Sequence, residues 1–580
     1  MIANEKLPPI YNLNDDFHAL GVFDRTKLNP LKVLDTIDNY IKGENFLYNK
    51  AIDSYMNLLL KDITKRKMLF EDWLEDYCKG VEISSNDLKK HFFILEILTG
   101  ISKWIPVIPN FILGCSGLFC NEPSTNSNIH GRILDFPILE AYAANERITT
   151  YKIANHPKIW TLSMAAVPYP SITSMSDEGI TLALHMKYGD ILNKKGHFIF
   201  EIIFKILLEC RKIEDVLNIL KAYPSISTWG LYMTFANGEM LSVDLCGNDF
   251  YYQRENLSSG KLVYVNNLHI DNNELMKNKN LLPFGNKKYC EMRIDSANEK
   301  INFFSNVNSN VNSNLNSNVN SNVNSNVNSN LNKSEREIEV LKILGTPKIK
   351  EAENAVDWKV NTVTTISIQL LTMNAVKGEV YFVTGNFPKV VNDNVCVIKQ
   401  IWNDSSDSNA IQTKIFKNEY YLNLSNDLVS RYQKGFNYLA KAEYAYEQKQ
   451  HQQAFHYIQL AIEYLENFPE KYIAHFYFLV YQYIDYKKKK DLLILLQGFK
   501  DLRNKVPPSL QEHIKLFIFR IETILNGNSV IKEDAFINLE HKKIFIFEKK
   551  LPRIALNILR KMIYPQISMM DVFYAYFRFK

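Results

Sequence analysis

The chain has 580 residues, too many for one hydrophobic core, and its 46% hydrophobic and 23% charged content is that of a globular protein of two or three domains. Its formal net charge of +5 arises from 68 basic against 63 acidic residues, which excludes the basic footprint of a nucleic-acid-binding protein. The seven cysteines (Cys78, Cys115, Cys120, Cys210, Cys246, Cys290 and Cys396) contain no Cys-x-x-Cys pair, so no zinc site, cofactor or disulfide framework is expected and a reducing compartment is favoured.

Met1 to Lys6 has no apolar signal core, which points to a cytoplasmic protein. No transmembrane segment is expected either, because Glu201 and Lys205 interrupt the apolar run Phe198 to Cys210, and Trp104 to Cys120 is short and holds Pro106 and Pro109. Within residues 1–114, helical spacing in Leu31 to Ile41, Phe46 to Leu60 and Leu88 to Leu98 predicts a helical N-terminal segment. Next comes the stretch Gly114 to Pro137. Apolar segments flank turn chemistry between Asn121 and Asn128, which predicts a β-hairpin that returns Arg132 and Asp135 to the place where Cys115 begins its strand. A thiol, a cation and a carboxylate then share one small volume.

From Ile148 to about Phe387 the pattern is strand-rich. Ile148 to Ile153, Trp160 to Ala166, Ser171 to Ser174 and Gly179 to His185 alternate as strands of an antiparallel sheet do. Two helices follow, Gly196 to Cys210 and Ile213 to Ala222, and then strands Thr228 to Ala236 and Met240 to Leu245 joined at Asn237-Gly238. This order predicts an α+β fold with four αββα layers. Tyr264 to His269 reads as a strand ending in Asn266-Asn267, where a side-chain amide could meet a developing oxyanion. The Ser-Asn-Val-Asn repeat between Asn306 and Asn332 carries no charge and too little apolar surface to order, so 305–333 is expected to be a disordered insertion. Strands resume at Thr362 to Met373 and Gly378 to Val383, ending in Gly385 to Pro388.

Residues 420–580 read as an all-α domain. Ala442, Ala454, Ile458 and Ala461 within Phe436 to Glu466 sit where a tetratricopeptide-like hairpin places small packing residues, although Ala445 stands where that repeat prefers an aromatic. Such a domain could bind a protein partner, but helix packing explains the stripe equally well. The Lys487 to Lys490 run reads as a solvated helix end.

The motif Gly114-Cys115 followed by His130-Gly131-Arg132-Ile133-Leu134-Asp135-Phe136-Pro137 resembles the start of the catalytic chain in N-terminal-nucleophile cysteine amide hydrolases, the branch of acid ceramidase, N-acylethanolamine acid amidase, choloylglycine hydrolase and isopenicillin N acyltransferase. Ser116-Gly117 replaces the usual Thr-Ser, and Ile133 replaces an Asn. The resemblance implies an Ntn-hydrolase sandwich at 115–390, a cut between Gly114 and Cys115 that leaves residues 1–114 as a small subunit, and a thioester on Cys115 formed from a small N-acyl amide and passed to water or an amine. A cysteine at a new N-terminus carries its own base, since an α-amine titrates at about 7.7 to 8.0. By the same resemblance Asp135 holds that amine, Arg132 sets the nucleophile's surroundings, Asn267 supplies the oxyanion donor, and Arg293 in Cys290-Glu291-Met292-Arg293, with Cys for the usual Ser, supports the site from behind. Two other readings compete: a papain-like pair of Cys115 with His130 or His269, and an inactive hydrolase fold that acts with its helical C-terminus as a scaffold.

Overall fold

The computed structural model describes residues 7–41, 67–100, 114–122, 125–136, 144–258, 261–277, 290–303, 335–347, 362–384, 394–403, 411–415 and 425–560 apart from 449, 507 and 538, with a few further positions between them. The insertion at 305–333, Pro106, Pro109, most of the helix expected at Phe46 to Leu60 and the return at Gly385 to Pro388 lie outside the described residues.

Among the described residues fifteen strands build the two central sheets: β1 (Ile10–Asn14), β2 (Cys115–Glu122), β3 (Ser127–Asp135), β4 (Glu146–Lys152), β5 (Ile159–Met164), β6 (Thr173–Ser176), β7 (Thr181–Met186), β8 (Thr228–Thr234), β9 (Glu239–Cys246), β10 (Asp249–Asn256), β11 (Val263–Val265), β12 (Ser367–Asn374), β13 (Glu379–Phe382), β14 (Asn394–Ile398) and β15 (Ile411–Ile415). One sheet has the order β1-β4-β5-β6-β7-β8-β9-β10 and the other β11-β2-β3-β12-β13-β14-β15. Gly238 takes a φ of 89° in the turn between β8 and β9, a conformation that favours glycine.

The sheets stack face to face. Phe119 of β2 packs with Tyr232 and Met240 of β8 and β9, while Ile148, Trp160 and Met175 meet Leu371, Met373 and Phe382 from the other sheet. Helices α1 (Phe17–Lys27), α2 (Pro30–Ile41), α3 (Glu71–Val81), α4 (Ser85–Gly100), α5 (Ile199–Glu209) and α6 (Ile213–Ala222) share a core with the outer face of the eight-stranded sheet, through residues such as Leu182, Leu184, Leu231 and Val243. After α7 (290–303), α8 (Arg336–Gly345) sets Leu341 and Leu344 on Leu118, Ile129 and Ile133 of the seven-stranded sheet. The expected αββα order is therefore present, each sheet burying both faces.

Three features differ from the pattern reading. Residues 1–114 are not helical throughout, since β1 pairs in parallel with β4 at the edge of the eight-stranded sheet. β10 escaped notice because its exposed, polar alternation lacks an apolar face. The seven-stranded sheet also runs past residue 390, through β14 and β15.

From residue 425 to 560 the described residues are mainly helical: α9 (Asn426–Glu447), α10 (His451–Tyr464), α11 (Lys471–Asp485), α12 (Lys489–Leu502), α13 (Pro508–Asn526), α14 (Leu539–Lys549) and α15 (Arg553–Leu559). The all-α expectation for 420–580 fails after them, because Ile563–Pro565 and Ala575–Phe577, rich in aromatic residues that favour extended chain, pair as an antiparallel two-stranded sheet. Ala442, Ala445, Ala454, Ile458 and Ala461 are buried together, and Gly435 faces Leu465 so closely that a Cβ would lie 2.5 Å from its Cγ. Phe436 of α9 joins the cluster beneath α8, which ties this region to the sandwich. Among the described residues no helix is long and apolar enough to cross a membrane.

Candidate active site

The β2–β3 register pairs Cys115 with Leu134 and Gly117 with Arg132. Because side chains alternate along a strand, Cys115 and Phe119 on β2 and His130 and Arg132 on β3 turn toward the partner sheet, whereas Leu118, Cys120, Ile129 and Ile133 turn toward α8. Arg132 thereby reaches diagonally to the thiol: its Nη2 donates to Cys115 Sγ at 3.6 Å and to the Leu184 carbonyl at 2.6 Å. Arg132 is fully buried, and its Nε and Nη1 make no hydrogen bond among the described residues.

Asp135, at the end of β3, meets Ser367 where β12 begins. Its Oδ2 pairs with Arg293 Nη1 at 2.8 Å, and its Oδ1 accepts from Thr364 Oγ1 at 3.2 Å and from Ser367 Oγ. Arg293, on α7, also donates to the Thr362 carbonyl. The Asp135 backbone N–H donates to the Gly114 carbonyl at 2.7 Å, and a Cβ on residue 114 would collide with Asp135 Oδ2 and Arg293 Nη1. A larger residue at 114 would have to push the ends of this ion pair aside. The peptide that joins residues 114 and 115 thus lies against a buried carboxylate and a buried guanidinium.

Asn267 closes the arrangement from β11's end. Its Oδ1 accepts the Cys115 backbone N–H at 2.7 Å and its Nδ2 donates to the Met186 carbonyl at 2.8 Å. In this uncut chain the amide therefore grips the Cys115 nitrogen, and its donor is occupied. Asn266 faces elsewhere, with Nδ2 on the Cys290 carbonyl at 2.8 Å.

The electrostatics follow from burial. Removal from water pushes the Cys115 thiol above its ordinary range, with the Arg132 and Arg293 charges opposing and Asp135 adding to the rise. Burial likewise raises the Asp135 carboxyl, against the pull of Arg293, Ser367 and Thr364. Cys115 is 2% exposed. A cleft of about 750 Å³ exists, but its lining, Tyr446, Phe455, Tyr481 and their neighbours, belongs to the helical region.

Neither His130 nor His269 bonds the Cys115 thiol. His130 bonds Thr181 Oγ1 at 2.8 Å and burial holds its pKa well below the usual imidazole range, while His269 lies between Asp244 Oδ2 and the Tyr188 carbonyl, both at 2.9 Å. The papain-like pairing has no geometry here. Pattern reading passed over Ser367, Thr364 and Thr362, which hold Asp135 and Arg293; the Thr-rich run before β12 was the available signal, and it was read only as strand.

Comparison with family models and with curated proteins gives no match. Among solved structures the chain is similar to an N-acylethanolamine-hydrolyzing acid amidase ortholog from Caenorhabditis elegans, at 12% identity over 52% of this chain and 100% of that one, with a TM-score of 0.28. It is also similar to a variant of conjugated bile acid hydrolase from Clostridium perfringens (12% identity, 54% and 100% covered, TM-score 0.30) and to penicillin V acylase from Agrobacterium tumefaciens (12%, 52% and 90%, 0.30). Overlap this low adds no weight of its own. What makes the chain similar to N-terminal-nucleophile amide hydrolases is local: a Gly-Cys pair opening a central strand, Arg132 and Asp135 on the neighbouring strand, and Asn267 at the end of a third.

Proposed function

We propose that this chain is a self-processing cysteine amide hydrolase. Cys115 Sγ attacks the Gly114 carbonyl carbon, the C–N bond to the Cys115 nitrogen breaks as that nitrogen takes a proton, and water hydrolyses the resulting thioester to a Gly114 carboxylate and a free thiol. The same thiol then attacks a linear N-acyl amide, using the liberated α-amine as base. The amine product leaves with the proton, and water or an acceptor amine takes the acyl group from sulfur. Asp135 holds the new ammonium, Arg293 keeps Asp135 ionised by charge pairing, and the unpaired Arg132 nitrogens face the substrate's polar atoms. Asn267 holds the Cys115 nitrogen before the cut; once that bond is gone its amide can rotate to present an N–H to the substrate oxyanion.

The observation that carries this reading is the packing of the Asp135–Arg293 pair directly against Gly114, where any side chain would have to displace the pair. Intact mass tests it: wild type should give fragments beginning at Met1 and Cys115, and Cys115→Ala should stay whole. A wild type that remains one chain while hydrolysing amides would remove the α-amine from the mechanism. Burial of Cys115 to 2% favours a second reading, an inactive hydrolase fold that serves as a scaffold. Failure of a lipid-amide thiol probe to label Cys115 in the processed protein would support that one.

A further inference from the structure

Lys187, the residue after β7, is fully buried, and the reaction just described does not use it. Its stem runs past Gly230, where a Cβ would lie 2.6 Å from Lys187 Cε, so the glycine opposite β7 leaves the channel the side chain needs. The ammonium's three N–H groups are matched by Tyr232 Oη at 2.8 Å, the Asn266 carbonyl at 3.5 Å and the Leu268 carbonyl. Those two carbonyls flank Asn267. Tyr232 Oη in turn donates to the Asn266 carbonyl at 3.1 Å.

The charge is balanced by Asp244, whose Oδ1 lies 3.2 Å from Lys187 Nζ in a pair with no exposure to solvent. Asp244 Oδ2 continues the hold along the same loop: it accepts from His269 Nδ1 at 2.9 Å, Ile270 N at 3.0 Å and Asn273 Nδ2 at 2.8 Å. Buried ion pairs are poor sources of stability compared with apolar packing of the same volume, so stability alone gives little reason for this one. Its partners give a better one, because among the described residues every side-chain hydrogen bond from the pair outside Tyr232 ends on residues 266–273.

We propose that Lys187, with Asp244 and Tyr232, is the positioning device that fixes Asn267 and, through it, the Cys115 nitrogen. The inference rests on the reading of Asn267 and Cys115 given above. It adds a requirement for a cation: a neutral side chain could fill the channel but could not hold two carbonyls on either side of Asn267 while neutralising Asp244. A displacement of about 1 Å in a reacting group can slow a reaction about a hundredfold, and such a displacement is what loss of the clamp permits.

Two measurements on the full chain test it. In the uncleavable Cys115→Ala background, hydrogen exchange at the residue-115 amide, which Asn267 Oδ1 protects, should accelerate at least about tenfold on Lys187→Met, and by more than amides of the distant helical region do, since leaving Asp244 buried and unpaired also lowers global stability. With Cys115 present, Lys187→Met should slow self-cleavage about a hundredfold, Lys187→Arg should recover part of the rate, and Lys187→Met/Asp244→Asn should remain slow because neither change restores the bonds to residues 266 and 268. Should Lys187→Met fail to fold, Tyr232→Phe, which removes one arm, should still slow cleavage and speed exchange. Unchanged exchange in Lys187→Met, or recovery in the charge-free double variant, overturns the proposal. A wild type that never cleaves, with exchange that responds to Lys187→Met, instead removes the proposed function and leaves the clamp standing.

Discussion

Arg132 in the sandwich and Arg520 in the helical region are both buried, yet they are bonded in opposite ways. Arg520 forks onto Glu548, with Nε to Oε2 at 2.8 Å and Nη2 to Oε1 at 2.6 Å, in a region otherwise packed by rings such as the stacked Phe499 and Phe517. Arg132 spends one nitrogen on a thiol and a carbonyl and leaves two others unpaired among the described residues. A buried guanidinium that is fully forked is satisfied by the fold itself, whereas the one left incomplete beside the thiol is, in the function proposed above, open to a substrate's oxygens. The contrast belongs to these two arginines rather than to the two regions, because Asn437 Oδ1, Tyr483 Oη and Thr523 Oγ1 in the helical region also make no hydrogen bond among the described residues.

The comparison is broken most directly by removing each cation. Arg132→Met should slow self-cleavage about a thousandfold, read by intact mass over time, while leaving the denaturant midpoint near wild type. Arg520→Met should do the reverse, leaving Glu548 buried and unpaired at a loss of about 3 to 5 kcal/mol in chemical denaturation with cleavage unaffected. If both variants merely unfold, the distinction between the two arginines fails.

A third test concerns the attachment of the N-terminal segment. Glu96 on α4 accepts from Trp229 Nε1 at 2.7 Å, from Ile199 N at 2.8 Å and from Ser227 Oγ, and burial, with Glu201 adding, raises its carboxyl to about 7 against those bonds. Since an unfolded glutamate titrates at about 4.3, the native state binds the proton more tightly. Its contribution is therefore fully present below about pH 4.3 and is lost as pH rises through about 7, an effect on the order of 3 kcal/mol. Glu96→Gln should flatten this part of the stability profile between pH 5 and pH 8, measured as thermal midpoints at about one-unit steps; a profile identical to wild type would remove Glu96 as its source. The smallest effect is expected at Ser367→Ala, which takes one hydrogen bond from Asp135 and should cost about 1 kcal/mol, seen as a several-fold slower cleavage.

How much of this could be read beforehand depends on the range of each interaction. The hairpin of Cys115 with Arg132 and Asp135 was legible because its register is set by a short turn within one stretch of chain. Asn267 was legible only through a motif, since nothing local to Tyr264-Val265-Asn266-Asn267 says that the second amide faces the thiol's nitrogen and the first faces Cys290. Lys187 could not be found at all, because a lysine after a strand normally reaches water and its partners lie 45 to 81 residues further along the chain. The strand β1 was missed for a related reason: five residues carry no usable period, and their partner in β4 begins beyond residue 145.

Local chemistry in the sequence thus determined the hairpin that brings the Cys115 thiol, the Arg132 guanidinium and the Asp135 carboxylate near one another, the αββα layering and the helical C-terminal region, since all of these depend on near-neighbour periodicity and turn residues. Only the tertiary structure decided which buried charges are completed and which are left open, and which face of Asn267 meets Cys115. Those outcomes depend on side chains brought together across two sheets, where desolvation makes every partner, or missing partner, count.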